Sequence, residues 1–369
     1  MSGSIYGNLF KISTWGESHG KAIGVVVDGC PAGLNLRVDN VQRYLNRRRP
    51  GQNEYTTSRN EKDDVEILSG TFNGKTTGTP ISMLVRNTDQ HSEDYGDIAN
   101  YYRPGHADYT YDAKYGFRDY RGGGRSSGRE TIGRVAAGAI ASEILKELNI
   151  NICTYVKSIG PIGIDYNKFD SENILKSPLF MPDLEASAKA EQLVLEMKEE
   201  EDSLGGVIEC VVSGLPVGIG NPVFEKTDAN ISKGIMSMGA MKGIEFGSGF
   251  NATKKTGSEN NDPFIADDEG NISKVSNNAG GVLGGMTDGS EIIFRAAVKP
   301  TSSISKPQKT VNNLGENIEI NIKGRHDPLI APRAVVVVEA MTALTIVDML
   351  FVNMHSKMEN VERFYGVKK

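Results

Sequence analysis

Residues 121–148 read RGGGRSSGRETIGRVAAGAIASEILKEL, a glycine-rich loop that runs straight into a helical pattern. The helical half is the clearest element in the chain. Ile132, Ala136, Ile140, Ile144 and Leu148 recur at i+4 steps with Val135 and Leu145 beside them, which predicts a helix over residues 130–148. Ala136, Ala137, Gly138 and Ala139 carry little side chain, so a neighbouring element can approach closely and the helix buries one side. The loop half suits an anion. Glycine lets the backbone approach a ligand and take positive φ. Serine hydroxyls donate, and Arg121, Arg125 and Arg129 offer planar forks that match phosphate or carboxylate. The helix N-terminus adds unpaired N–H groups and the positive end of its dipole. The plain alternative is a surface loop with solvated arginines.

Composition narrows the ligand. The chain has 369 residues, 38% of them hydrophobic and 24% charged, with a net charge of −6. That is enough chain for one large domain or two to three smaller ones, and the balance points to neither nucleic acid nor membrane. The basic groups are local. Arg43, Arg47, Arg48 and Arg49 form one cluster; Arg103, His106, Arg118, Arg121, Arg125, Arg129 and Arg134 form another. Two basic clusters in an acidic protein suit a small anionic ligand. Cys30, Cys153 and Cys210 are widely spaced, with no metal-ligand spacing, and predict free thiols in a reducing compartment. No signal peptide is read at the N-terminus, and a cytoplasmic location is expected. Residues 334–354, AVVVVEAMTALTIVDMLFVNM, are long enough to span a membrane. Glu339 and Asp348 interrupt them, which favours a buried helix.

Upstream of the loop, residues 16–20 read GESHG and fit the G-x-S-x-G nucleophile elbow. An elbow opens a helix, whereas residues 21–28, KAIGVVVD, read as a strand. His19 is then a glycine-flanked loop histidine, suited either to acid–base work or to a structural hydrogen bond. Residues 39–49 predict a helix capped by Asp39, with Gln42 three residues on and an apolar stripe of Val38, Val41 and Leu45. Arg47, Arg48 and Arg49 close it. They serve equally as favourable charges at a helix C-terminus or as a phosphate clamp. Residues 65–69 and 81–86 read as strands around a P-loop lookalike, residues 70–76, that lacks one residue and reads as a hairpin turn. Residues 87–120 carry seven tyrosines and no apolar period, and read as a long functional loop holding His106 just after Pro104-Gly105.

Downstream, residues 152–158 and 207–213 read as strands around a helical stretch at 183–202. The methionines around residues 236–241 read as adaptable core. Residues 251–277 form a polar, exposed excursion. A second glycine-rich turn, residues 280–285, leads into a strand at 291–298 and then into Lys299-Pro300-Thr301-Ser302-Ser303, a run of one ammonium and three hydroxyls. Residues 317–323 alternate as a half-buried strand does. No linker divides the chain cleanly.

GESHG, RPGHADYTY, RGGGRSSGRET, GGVLGG, KPTSS and GRHDP occur in this order, and together they resemble the chorismate synthase family from about residue 3 to residue 350. The resemblance implies an α+β fold, a single large β-α-β sandwich over residues 1–369 with the excursion at about 251–277, and a homotetramer. It implies the last step of the shikimate pathway, anti-1,4-elimination of phosphate from 5-enolpyruvylshikimate 3-phosphate, with reduced FMN (FMNH2) as cofactor. Among site residues it implies His19 as the proton donor to phosphate and His106 as the group that stabilises reduced flavin. Asp327 would help flavin N5 accept the substrate proton. FMN contacts carry over onto Arg125, Ser126, Ser127, Gly239, Ala240, Gly284, Lys299, Pro300, Thr301, Ser302, Ser303 and Arg325. Substrate contacts carry over onto Arg48, Ser127, Arg129 and Arg325, and no metal is expected. The chain departs from the family in three places. Glu54 stands where many relatives have a second substrate arginine, with Arg59 as a possible stand-in; Gly239 replaces a frequent asparagine and Gly128 a frequent alanine. No G-x-G-x-x-G follows a strand, so the chain is not expected to reduce its own flavin with NADPH.

Overall fold

A computed structural model describes residues 3–51, 53, 55, 61–87, 97–322 and 327–366. Its helices in chain order are α1 (Val38–Arg48), α2 (Asp108–Tyr115), α3 (Thr131–Glu147), α4 (Leu184–Glu199), α5 (Thr227–Met236), α6 (Gly257–Asn260), α7 (Ala331–Asn353) and α8 (Met358–Phe364). The expected helix over residues 130–148 is α3, and it is buried around nearly its whole circumference, from Ile132 to Leu145, not along one side only. The reason is its small residues. A Cβ on Gly138 would lie 2.3 Å from the Ala340 Cβ of α7, so the two helix backbones approach as closely as glycine permits.

One sheet packs against α3 from one side. Its strands are β1 (Ile5–Tyr6), β2 (Lys11–Gly16), β3 (Ala22–Asp28) and β4 (Val65–Ile67), then, after a small hairpin of β5 (Thr71–Phe72) and β6 (Lys75–Thr76), β7 (Ile81–Arg86). Their order is β1-β2-β3-β7-β4, antiparallel throughout. Ile23, Val25 and Val27 are buried on the face toward α3, as alternation in a strand dictates. GESHG caps the β2–β3 hairpin, so strand leads to strand and no nucleophile elbow forms. The P-loop lookalike is the β5–β6 hairpin, turned by Asn73 and Gly74, both at positive φ.

The second sheet uses β8 (Asn151–Ile159), β9 (Ile162–Gly163), β10 (Gly206–Ser213) and β11 (Met241–Phe246). After two hairpins, β12 (Phe264–Ala266) with β13 (Ile272–Lys274) and β14 (Val282–Leu283) with β15 (Met286–Thr287), it gains β16 (Ile292–Val298). The order is β11-β16-β10-β8-β9, again antiparallel. Helix α7 packs on β8 and β10 and also on α3, so the layers run sheet, helices, sheet. The architecture is the expected β-α-β sandwich. A last ribbon, β17 (Gln308–Val311) with β18 (Asn317–Ile320), lies outside both sheets.

Among the described residues, α7 is the one helix long and apolar enough to cross a membrane, and 83% of its most apolar window is buried inside the fold. Its interrupting charges are used internally. Asp348 accepts from the backbone N–H groups of Asn8, Leu9 and Phe10 at 2.7–3.0 Å, and Glu339 pairs with Arg47.

Two expectations are corrected and a third gains a detail. Arg37, not Asp39, is the N-cap residue of α1; its side chain caps nothing, and its backbone N–H donates to Asn40 Oδ1 at 2.9 Å, while Val38 is exposed because the buried stripe is Val41, Tyr44, Leu45 and Arg48. Residues 97–120 are not one loop: α2 forms there because Asp108, at its start, is gripped by Arg103 and Arg118. The excursion is exposed, yet it is pinned by buried Lys274, which pairs with Asp262 and Asp288.

Candidate active site

The C-terminus of α1, the glycine-rich loop, the Arg103–Asp108 turn, the 299–303 run and the start of α7 enclose one cavity of about 500 Å3. That volume suits a small-molecule site. The loop is ordered as two successive 3-10 turns, residues 124–126 and 128–130, before α3 begins. Ser127 sits between them and accepts from the Arg129 backbone N–H, while Ser126 donates to the Gly123 carbonyl. Both serines line the cavity.

The arginines at the end of α1 part company. Arg47 turns away to Glu339, whereas Arg48, only 3% exposed, enters the cavity wall. Arg48 Nη1 meets Asp63 at 2.7 Å, its Nε donates to the Thr131 hydroxyl at 2.9 Å and its Nη2 to the Gly128 carbonyl. Burial pushes its pKa down to about 10 against the pull of Asp63, which still leaves it charged at neutral pH. Arg129 shares the same acid, at 3.0 Å from the other Asp63 oxygen, and also pairs with Glu61; its Nε donates to Asn87. Next to Arg48, Asp327 pairs with Arg333 at 2.5 Å, and Arg333 Nε donates to the Arg48 carbonyl.

His106 is held at both nitrogens: Nδ1 lies 3.0 Å from the Pro104 carbonyl and Nε2 2.8 Å from the Ser303 hydroxyl. A carbonyl only accepts, so Nδ1 carries the proton and neutral Nε2 accepts from Ser303. Burial and then the Arg103 charge hold the pKa of His106 below the ordinary histidine value. Lys299 donates to the Gly105 carbonyl and to Ser302, and burial lowers its pKa. Unlike Arg48, Arg103, Arg129 and Arg333, Lys299 pairs with no carboxylate among the described residues. Thr301 Oγ1 is buried with no hydrogen-bond partner among the described residues.

The cavity thus gathers Arg48, His106, Ser126, Ser127, Arg129, Gly239, Ala240, Lys299, Pro300, Thr301, Ser302, Ser303 and Asp327 of the expected site. Three expected residues lie elsewhere. His19 does not line it but lies against the loop: a Cβ on Gly122 would fall 2.1 Å from His19 Nδ1. Arg125 turns its guanidinium to β2, on the Thr14 hydroxyl at 2.6 Å and the Gly16 carbonyl at 3.1 Å. Gly284 sits at the tip of the β14–β15 hairpin, away from the cavity lining. Arg325, Glu54 and Arg59 lie outside the described residues. Sequence reasoning missed Glu61, Asp63, Asp108 and Arg333. The signal was thin: acids at residues 61–64 just before a strand, and one arginine in the first turn of an apolar helix.

The family model described as chorismate synthase matches residues 10–351. The chain is 65% identical to the chorismate synthase of Lachnoclostridium phytofermentans over 99% of this chain and 100% of that protein. It is 56% identical to that of Methanococcoides burtonii over 94% of this chain and 96% of the other. It also matches a crystal structure of chorismate synthase with a TM-score of 0.77 and 31% identity, covering 98% of this chain and 97% of that one.

Proposed function

The chain belongs to the chorismate synthase family, and from that premise we propose how its cavity divides the work of the reaction. The enzyme is a carbon–oxygen lyase of the shikimate pathway that eliminates phosphate from 5-enolpyruvylshikimate 3-phosphate to give chorismate. The observation that carries the assignment of roles is the convergence of Arg48, Arg129, Lys299, His106 and Asp327 from separate stretches of chain on one cavity.

The donor set fits reduced FMN. Lys299 without a carboxylate partner and Thr301 with an orphaned hydroxyl are groups that a phosphate completes. Ser302, Ser303 and the loop serines Ser126 and Ser127 extend that cradle. At Gly239 a Cβ would meet nothing closer than the Ser126 carbonyl at 3.9 Å, so the wall there is open to a ring. When bound, reduced FMN supplies electron density to the allylic system, which lets the C–O bond break with no net redox change. Arg48 and Arg129 bind the anionic groups of the substrate. His19 is assigned the proton given to the departing phosphate on the family resemblance; it lies against Gly122 of the loop, off the cavity lining. His106, neutral before binding, gains basicity once an anion lies beside it and so stabilises the reduced cofactor. Asp327, held by Arg333, is assigned to the proton that leaves the substrate. The chain is proposed to act as one domain. It assembles as a homotetramer, supported by the apolar side chains Val217, Val223 and Phe224 left exposed after β10. It works in the cytoplasm, supported by three unpaired cysteines.

The test is anaerobic turnover with chemically reduced FMN. Phosphate release together with chorismate is expected, and no turnover under those conditions overturns the assignment of roles. Oxidised FMN with NADPH alone is expected to give none.

A further inference from the structure

The geometry points to Asp63 as the positioning residue that sets Arg48 and Arg129 for the substrate, an inference that rests on the function proposed above. Its side chain is completely inaccessible, and its two oxygens are divided between guanidiniums from two different elements, Oδ2 to Arg48 and Oδ1 to Arg129. Asp63 itself is absent from the cavity wall, where both arginines and Glu61 appear. It therefore acts from behind and does not compete with a ligand, whereas Glu61, on the wall, does face one.

Two features mark this as a built arrangement. Asp63 holds φ at +51°, a left-handed backbone uncommon for a residue other than glycine. Strain of that kind persists where surroundings enforce it, and it concentrates at functional sites. The enforcing contacts come from α1: Gln42 Nε2 donates to the Asp63 carbonyl at 3.2 Å, and Gln42 Oε1 accepts from the Val65 N–H at 3.0 Å. The same helix thus presents Arg48 and clamps the acid that aims it. Without a shared counter-charge, Arg48, Arg129 and Arg333 would repel one another in a poorly solvated wall. With it, the pair stands converged before the substrate arrives, which is the condition for tight binding at low reorganisation cost.

The test is a double-mutant cycle. Asp63→Asn keeps the shape and tolerates the left-handed backbone. In the otherwise native enzyme it should raise the KM and the Kd for 5-enolpyruvylshikimate 3-phosphate by about tenfold or more while kcat stays within about twofold, since it weakens uniform binding through charge-assisted contacts. In an Arg48→Ala/Arg129→Ala background it should have no further effect on Kd, because residues acting through one another are not additive. An unchanged Kd in the first case, or the same fold-change in both backgrounds, overturns the inference. If Asp63→Asn does not fold, Asp63→Gly, which suits φ +51°, runs the same cycle. If the arginine substitutions themselves leave Kd unchanged, the reading of the cavity fails instead.

Discussion

At the scale of single residues, His19 and Gly122 make the sharpest case. The histidine does not line the cavity, and it lies against a loop position that carries no side chain. Gly122→Ala would place a methyl 2.1 Å from Nδ1 and 2.2 Å from Cε1. The ring is the mobile partner, so it swings aside and the loop keeps its course. The expected result is a fall in kcat with little change in melting temperature. His19→Ala should lower kcat by about 10²–10⁴, the usual worth of general acid help, and a loss below about tenfold would refute the role. Adding Gly122→Ala to His19→Ala should then cost nothing more. His106 gives a pH signature. Its folded-state pKa lies below the ordinary value of about 6.5, so the native state prefers the neutral ring. The stability this provides is full above the unfolded pKa and is lost as pH falls through the folded one. His106→Asn should therefore cost less stability at pH 5 than at pH 8, read from denaturant midpoints at the two pH values. Much at this scale was legible as residue type and little as direction. Arg47, Arg48 and Arg125 look equivalent in the sequence, yet only Arg48 enters the cavity wall. The difference is set by Glu339 and Thr14, partners far away in the chain.

At the scale of elements, legibility followed periodicity. α3, α7, β3 and β16 were plain because burial repeats along them. α2, DYTYDAKY, has no apolar period; its start is fixed by two arginines on Asp108 and its end by Gly116 at φ +81°. Nothing local announces such a helix. Charges inside α7 were read as evidence against a membrane span, and the structure gives them a positive use. Asp348 satisfies three consecutive backbone N–H groups at residues 8–10, where the chain enters β2. Asp348→Ala leaves those donors unpaired, the Phe10 N–H in a buried position, at a cost of about 1–3 kcal/mol for each one not reached by water. Asp348→Asn keeps one acceptor and should cost less. Urea denaturation of the two variants checks the order; equal loss would mean that one amide oxygen replaces nothing and the ionised carboxylate carries the whole effect.

At the scale of the molecule, no layer owns the site. Arg48 and Arg129 stand on α1 and on the loop that opens α3, and both helices pack with the first sheet; Lys299 follows β16 of the second, and Asp327 precedes α7. The cavity exists only while α3 and α7 hold the two sheets in register, and the helices meet tightly where Gly138 faces Ala340. A chain of this size often unfolds through intermediates. Here α3 packs on the first sheet, α7 packs on the second and the two helices pack on each other, so a half-unfolded state would expose the face of α3 or α7 that the other half covers. Thermal unfolding should therefore be one calorimetric transition, with the calorimetric and van't Hoff enthalpies in agreement. Loss of 5-enolpyruvylshikimate 3-phosphate binding should coincide with it. Gly138→Val forces the helices apart at backbone level, where no flexible side chain can yield. It should lower the transition temperature and weaken substrate affinity together, although residue 138 does not line the cavity. Two resolved transitions, or a variant that loses stability but keeps native affinity, would show that the two halves fold and bind independently.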